Sequence, residues 1–426
     1  MLKRINLKSE LVKSVVLLTS GTVLAQLINM LLTPVITRLF SPDELGELGY
    51  FVRWATFVSS VASARYELAI SLPKSHAHGF QIFRIALQIS SLTLLLVLVG
   101  GGTYYLFSGM DGYTLFFVVS LVLACFGIIF RMIGTNWAIK TKSFKRISAS
   151  KITEALGVTG FKIFAGLMNW GVVGLIIATV LGIFASAILF VINFFKERKN
   201  PDYKSSKAKR FVLMREYVDF PKVNLPHIII DTGKDLLMAY LIVELFDKAT
   251  FGSYDHSFRM LRVPLMFIGA SIGQVFFQRA SESFAAKKEI YPLLKRTTIL
   301  LTLLSLVPFG LVFVFGEQMF FWVFGEEWGE SGKIAEAIAP WLMINFIASP
   351  ISTIPLVIKK QATFFWLGLG ASLIQLIGFG LLPFISVFNN YLEYFNVVGW
   401  SMAVFLLFTV IYKLKLVKEA DVRNNA

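Results

Sequence analysis

KERKNPDYKSSKAKRFVLMR, residues 196–215, separates two long series of apolar segments in a chain of 426 residues. The stretch is polar, strongly basic and interrupted by Pro201. On both sides of it, apolar runs of about 20 residues, the length that crosses a bilayer, follow one another. The sequence therefore predicts two halves, 1–195 and 221–426, joined by a solvated basic linker at 196–220.

The composition of the whole chain is that of a membrane protein. Hydrophobic residues make up 56% of it and charged residues 16%, and the mean hydropathy is +0.69. Soluble domains contain about 45–50% apolar and about 25% charged residues. The apolar excess extends along the entire chain, so a soluble domain with a single anchor is excluded.

Twelve segments have the length and apolar content of transmembrane helices. They are 11–33, 47–72, 82–107, 113–139, 152–170, 171–195, 221–246, 252–278, 294–316, 334–358, 362–388 and 392–412. Pro226 and Pro264 are expected to bend the seventh and eighth of these helices. The predicted fold is an all-α integral membrane protein with about twelve transmembrane helices, six in each half.

Lysine and arginine are distributed unevenly between the loops. Thirty of the 41 lie at the two ends and in alternate loops, and only three, Arg38, Lys248 and Lys333, lie in the opposite loops. Because cytoplasmic loops are the basic ones, both ends are predicted to be cytoplasmic. The same asymmetry explains the net charge of +15, so no nucleic acid is expected as a partner. The predicted external loop at 317–333 is acidic.

An internal repeat relates the two halves. The matching positions, each separated by 206 residues, are Leu39-Phe40 with Leu245-Phe246, Leu45-Gly46 with Phe251-Gly252, and Arg53 with Arg259. Both copies begin at the outer end of the first helix of a half and continue into the second. Repeats of the same orientation predict two lobes related by an axis along the membrane normal, with a site between them.

Charged side chains inside the predicted spans mark the candidate site. A charge at the bilayer centre costs at least ~2.5–3.5 kcal/mol and therefore normally faces a cavity or a partner. The basic candidates for substrate binding are Arg53, Arg65, Arg131, Lys162, Lys234, Arg259 and Arg262. The acidic residues of the same spans are Glu67, Asp231, Asp235 and Asp255. Since bases outnumber acids, the predicted cavity favours anions, and arginine has the bidentate geometry that suits phosphate.

Three charges in the seventh predicted span share one helix face. Asp231, Lys234 and Asp235 are spaced i, i+3 and i+4. An incompletely paired carboxylate in a membrane can bind a proton or a sodium ion, so Asp231, Asp235 and Asp255 are the candidate ion-coupling residues. The alternative is that these charges neutralise one another within a helix and serve only packing.

Two further stripes of charge are predicted. Asp255, Arg259 and Arg262 follow an i, i+4, i+7 pattern in the eighth span, and Arg53 and Glu67, fourteen residues apart, should align after about four helical turns. Here too the alternative is ion pairing within a helix. An arginine near the end of a span can also extend to the lipid headgroups.

Signatures of catalysis are missing from the sequence. It contains no P-loop, no HExxH and no paired metal-ligand spacing, and Cys125 is its single cysteine. We therefore expect no enzyme activity, no cofactor and no metal site. A membrane polysaccharide polymerase or ligase is the alternative of another class. Such an enzyme would need a sizeable external loop, and the predicted loop at 317–333 is short.

Two stretches carry a family resemblance. TPVITRLFSPDELG, residues 33–46, resembles the segment that follows the first helix in bacterial polysaccharide-unit flippases. FGSY at 251–254, VP at 263–264 and GQVFF at 273–277 resemble the eighth helix of the same family. These flippases belong to the multidrug/oligosaccharidyl-lipid/polysaccharide exporter superfamily. The resemblance implies a MATE-like, V-shaped fold of two six-helix lobes around a central cationic cavity.

The resemblance also implies a function. Flippases of this family move an undecaprenyl-diphosphate-linked oligosaccharide, a unit of O-antigen, capsule or exopolysaccharide, from the cytoplasmic to the periplasmic leaflet of the bacterial inner membrane by alternating access. The implied partners are that substrate, membrane lipids, a coupling proton or sodium ion, and the polysaccharide polymerase and chain-length machinery. The nearest alternative is a cation-coupled multidrug exporter of the same fold, although such an exporter should prefer an acidic or aromatic cavity. A lipid II flippase typically has two further helices, which the sequence does not predict.

Overall fold

The computed structural model describes residues 10–203, 207–380 and 390–425, and within these ranges it contains helices and no strand. The α-helices are α1 Glu10–Thr37, α2 Pro42–Ala62, α3 His76–Phe107, α4 Gly112–Lys140, α5 Phe144–Leu167, α6 Gly171–Arg198, α7 Lys207–Glu216, α8 Leu225–Leu245, α9 Lys248–Pro264, α10 Ala270–Ala285, α11 Tyr291–Phe324, α12 Gly329–Ala348, α13 Ile354–Val357, α14 Gln361–Gly380 and α15 Tyr391–Asn425.

Eight of the described segments are long and apolar enough to cross a membrane: α1, α3, α4, α6, α9 with α10, α11, α14 and α15. Four more helices, α2, α5, α8 and α12, have 21, 24, 21 and 20 residues. At 1.5 Å per residue each of these spans about 30 Å, although charged residues lower its apolar content. The described residues thus contain twelve segments of span length, which confirms the predicted all-α membrane fold.

The second predicted span, 47–72, is wrong at its C-terminal end. Helix α2 ends at Ala62. Shortly after this end, Ala64 and Arg65 adopt left-handed backbone conformations with φ of 47° and 65°. A short 3₁₀ helix, Tyr66–Ser71, follows. Left-handed residues cannot continue an α-helix, so the chain changes direction there.

The predicted external loop at 317–333 is also wrong in its extent. Helix α11 is kinked at Phe315, whose φ and ψ are −127° and 19°, and then extends to Phe324. Because α12 begins at Gly329, the connection is short and turns at Gly325, whose φ is 114°. Positive φ of this kind favours glycine. The eleventh predicted span, 362–388, agrees with α14 as far as Gly380, and its remainder lies outside the described residues.

π-helical turns occur beside both prolines that were expected to bend helices. The turn Leu265–Gly269 follows Pro264 and joins α9 to α10. The turn Phe220–Asn224 precedes α8, which contains Pro226 in its first turn. A π turn re-pairs backbone groups that proline would leave unsatisfied, so these helices remain continuous in their passage through an apolar layer.

The chain divides into two compact units, Met1–Ala239 and Tyr240–Ala426. An aromatic cluster forms part of the core of the first unit, where the rings of Phe83 and Phe194 stack with centroids 5.2 Å apart. In the second unit, α12 packs against α9, α11 and α15. Gly399 of α15 makes the close approach to α12 possible, because a Cβ there would lie 2.3 Å from the carbonyl oxygen of Ala337.

The linker is not fully solvated, contrary to the expectation from its charge. The Tyr66 hydroxyl donates a hydrogen bond to the Met214 carbonyl at 2.9 Å, and the Gln81 amide donates to the Tyr203 carbonyl. Leu213 of α7 is buried. The linker helix α7 therefore packs against α3 and against the 3₁₀ helix Tyr66–Ser71, both in the first unit.

Candidate functional site

The helices that carry Arg53 and Arg259 begin with equivalent caps. The Ser41 hydroxyl accepts a hydrogen bond from the Glu44 amide at 3.3 Å at the start of α2. Asp247 accepts from the Thr250 amide at 2.6 Å at the start of α9. Both are side-chain N-caps, which fix the first turn of a helix. The two caps are again 206 residues apart, so the sequence repeat is also a structural repeat.

In the second unit, α9 carries an ion pair between a buried and an exposed group. The Asp255 carboxylate lies 2.6 Å from the Arg259 guanidinium, and the Arg259 Nε donates to the Asp255 carbonyl at 3.3 Å. The Asp255 side chain is 5% exposed, whereas that of Arg259 is 56% exposed. The pair therefore holds the guanidinium at the surface of the unit with much of it accessible to a further anion.

Other side chains of α9 are fixed by packing. The His256 ring lies 4.4 Å from the ring of Phe324 and 4.6 Å from that of Trp328, measured between centroids. The Ser257 hydroxyl donates to the Ser331 carbonyl of α12 at 2.5 Å. These contacts determine the rotation of α9 about its own axis, so that Arg259 points away from the unit's core.

Arg262 lies one turn further along the same helix. It is exposed, and its guanidinium lies 5.2 Å from the centroid of the Phe258 ring. A cation over an aromatic face is held in position while its charge stays available. The predicted stripe of Asp255, Arg259 and Arg262 is confirmed as one face of a continuous helix.

In the first unit, α2 and α8 approach closely. The Ser60 and Thr232 hydroxyls are 3.1 Å apart, and a Cβ on Gly233 would lie 3.4 Å from the Phe57 ring. Arg53, two turns before Ser60 on α2, is half-buried. This packing places a basic residue of α2 and the charged face of α8 in one region of the unit.

The charged face of α8 has the predicted helical spacing. Asp231 is exposed, and the Lys234 ammonium lies 3.9 Å from the Asp235 carboxylate. The Lys234 side chain is 14% exposed and that of Asp235 is 49% exposed. The two acids are thus accessible to a small cation, while the lysine is largely covered.

Arg65 does not share a helix with Arg53. It lies in the turn after α2, where its guanidinium contacts the Glu67 carboxylate at 3.2 Å, and the Ser63 hydroxyl also donates to Glu67. Glu67 is completely buried. The predicted alignment of Arg53 with Glu67 is therefore wrong, because α2 ends between them. Arg65 and Glu67 stabilise the connection against which the linker packs.

Arg131 has a partner that helical spacing could not reveal. It forms an ion pair with Glu154, which joins α4 to α5. Glu154 belongs to α5, within four residues of the predicted start of the fifth span, and its partner lies on another helix. Lys162 lies further along α5 and is half-buried.

An apolar groove of about 520 Å³ lies between α5 and α6. Gly157, Gly160 and Gly174 leave room for it, and Phe164 and Trp170 form part of its wall. None of the predicted cations lines this groove. Its surface suits a hydrocarbon chain and not a charged group.

Sequence reasoning missed Lys413. The sequence assigned it to the basic cytoplasmic end, but α15 runs without interruption through it, and the side chain is 5% exposed. Only the length of α15 could have shown that this lysine belongs to the packed part of the unit.

The fold and these charged helix faces define a multi-pass helical membrane protein with cationic positions inside its spans. The chain belongs to the polysaccharide biosynthesis protein family, whose match covers residues 35–333. This confirms the family resemblance of residues 33–46 and 251–277.

Solved structures show the same fold. An inward-facing multidrug resistance MATE family transporter of the MOP superfamily matches with a TM-score of 0.71 and 14% identity, over 94% of this chain and 96% of that one. The lipid II flippase MurJ in an inward closed conformation matches with a TM-score of 0.68 and 14% identity, over 96% and 91%. No curated protein sequence matches the chain.

Proposed function

We propose that this protein is a flippase, and not an enzyme, for an undecaprenyl-diphosphate-linked oligosaccharide. It would move a unit of O-antigen, capsule or exopolysaccharide from the cytoplasmic to the periplasmic leaflet of the bacterial inner membrane by alternating access. Residues 1–195 and 221–426 would form the two six-helix lobes, and both termini would be cytoplasmic. Family membership and the transporter fold support this proposal.

The observation that carries the proposal is the exposed guanidinium of Arg259 beside a buried carboxylate. A diphosphate is the one part of a lipid-linked oligosaccharide that always carries charge, and moving it bare through a low-dielectric layer costs a large free energy. A guanidinium fixed by one anion on one side can receive a second anion on the other. Arginine binds phosphate oxygens through two parallel hydrogen bonds, which a lysine cannot do.

The other cations would act at other stages of transport. Arg53 is the repeat equivalent of Arg259, and Arg262 extends the same helix face. Lys162, Lys234 and Arg131 would engage the diphosphate earlier. Arg65 would contribute least, because Glu67 already neutralises it.

Coupling to an ion gradient is a separate part of the proposal. Asp231 and Asp235 are accessible on α8, and Asp255 is the buried partner of Arg259. At least one of the three would bind a proton or a sodium ion. The polysaccharide polymerase and chain-length machinery would receive the exported unit.

A cation-coupled multidrug exporter is the second candidate, favoured by the fold shared with the MATE transporter. The two functions differ in the charge of the cargo. The protein in proteoliposomes should therefore be given a fluorescent undecaprenyl-diphosphate oligosaccharide or a cationic dye. Flipping of the lipid without dye transport is expected, and the reverse would overturn the flippase proposal.

A further inference from the structure

Three arginines that belong to no predicted site meet at one end of the first unit. The Phe194 ring of α6 stacks on Phe83 of α3 at 5.2 Å, and this packing brings the end of α6 alongside the start of α3. Arg198 lies one turn after Phe194, and Arg84 follows Phe83 directly. The Arg210 guanidinium of α7 donates to the Gln88 side-chain oxygen of α3 at 3.2 Å.

The positive charges of Arg198 and Arg210 both act on Arg84. Among the described side chains, no carboxylate pairs with any of these three arginines. Arg84 lies over the Phe80 ring at 5.0 Å, which fixes its position but does not neutralise it. Three like charges held together destabilise a structure unless an anion joins them.

Arg210 has a donor that is both buried and unused. Its Nε is inaccessible and has no hydrogen-bond partner, although its terminal nitrogen reaches Gln88. A buried donor without a partner costs free energy, so this end of α7 is not fully satisfied by the protein alone. The arginine cluster thus has the charge and the donors of a phosphate site.

The surface beside the cluster changes from polar to apolar along α3. Gln88 is exposed one turn after Arg84, and Leu92 and Leu95, on the same face, are 59% and 54% exposed. On α7, Phe211 and Val212 are exposed beside the cluster. Polar groups followed by exposed aliphatic side chains match a phospholipid, with its phosphate at the arginines and its acyl chain along the leucines.

We propose that Arg84, Arg198 and Arg210 bind the phosphate of an anionic phospholipid of the cytoplasmic leaflet. The bound lipid lowers the net positive charge of the cluster and holds the linker helix α7 on the first unit. This site is separate from the residues of the proposed flippase function, and it does not depend on the cargo.

The test uses the full-length protein in nanodiscs of phosphatidylcholine alone or of phosphatidylcholine with phosphatidylglycerol. Native mass spectrometry measures retained phosphatidylglycerol, and thermal unfolding measures stability. Each arginine replaced by glutamine should reduce retention about fivefold, which corresponds to about 1 kcal/mol per base at a membrane surface. The variants are Arg84→Gln, Arg198→Gln and Arg210→Gln, and the matched control is Arg279→Gln, an exposed arginine of α10.

The sign of the stability change separates a lipid site from a structural role. In phosphatidylcholine alone, Arg84→Gln should raise the unfolding temperature, because it removes repulsion. In nanodiscs that contain phosphatidylglycerol, the wild type should unfold at a higher temperature than Arg84→Gln. Arg198 is exposed at the end of α6, so its variant tests the site without disturbing the core.

Three results would overturn the proposal. The first is a wild type whose stability does not depend on phosphatidylglycerol. The second is retention that falls equally in Arg279→Gln, which would indicate attraction by net charge alone. The third is full stabilisation by inorganic phosphate in phosphatidylcholine nanodiscs, which would assign the cluster to a free anion and not to a lipid.

Discussion

Ser41 and Asp247 occupy the same structural position in the two repeats, each accepting a backbone N–H of the first turn of its helix. Arg53 and Arg259 each follow their cap by twelve residues. The caps thus fix the register of α2 and α9 and place the two arginines at equivalent helical positions. The structural repeat therefore includes the residues proposed to bind the cargo.

Removing either cap should destabilise the protein. Ser41→Ala and Asp247→Ala should each lower the free energy of unfolding by about 1 kcal/mol, because a first-turn N–H loses its acceptor. Thermal unfolding in detergent measures the effect. Ser91→Ala is the control, since Ser91 bonds only to the carbonyl of Leu87 within its own helix. Equal losses in all three variants would show that the caps have no special role.

Asp421 should hold the end of α15 against the start of α11. Its carboxylate is buried and accepts the backbone N–H groups of Ile290 and Tyr291 at 2.9 and 2.7 Å. Asp421→Ala leaves these donors without their acceptor and should cost about 1–3 kcal/mol of unfolding free energy. The exposed Glu419 on the same helix provides the control Glu419→Ala, which should be neutral. A stable Asp421→Ala protein would mean that water replaces the carboxylate.

Cysteine labelling tests the predicted topology. In a Cys125→Ala background, Ser205→Cys in the linker should react only from the cytoplasm, and Glu327→Cys only from outside. Ser205 lies outside the described residues, and Glu327 is exposed in the short connection between α11 and α12. An impermeant maleimide applied to intact and lysed cells gives the result. Labelling of Ser205→Cys from the periplasm would contradict the orientation proposed from the basic loops.

Replacement of the acidic residues tests ion coupling. The triple variant Asp231→Asn, Asp235→Asn and Asp255→Asn should lose the dependence of transport on pH or on sodium, because no carboxylate remains to bind the ion. Flipping in proteoliposomes under imposed gradients measures this. Restoring one aspartate at a time identifies the residue responsible. Unchanged ion dependence in the triple variant would place the coupling elsewhere.

The length and apolar content of the sequence runs predicted most of the helices. The helices follow the apolar runs, because a backbone in lipid must satisfy its own hydrogen bonds. The end of α2 was missed because Ala64 and Arg65 turn the chain without the glycine or proline that would mark it. The docking of the linker was missed because its contacts, such as Tyr66 with Met214, join residues 148 positions apart.

The candidate site also contains some features that the sequence predicts and others that only the structure shows. The charged face of α9 follows from spacing within one helix, so the sequence predicts it. The pairing of Arg131 with Glu154 depends on how α4 and α5 pack, and no local pattern encodes that. The arginine cluster at Arg84 requires three separate segments to meet, which only the structure shows.

Transport by the double variant Asp255→Asn with Arg259→Gln tests the central claim most directly. The variant keeps the net charge and leaves no buried carboxylate unpaired, so it should fold. If Arg259 binds the diphosphate, flipping of the lipid-linked oligosaccharide should fall close to background, while Arg259→Lys should stay partly active because the charge remains but the bidentate geometry is lost. A folded double variant that flips the substrate at the wild-type rate would show that Arg259 serves only as the partner of Asp255.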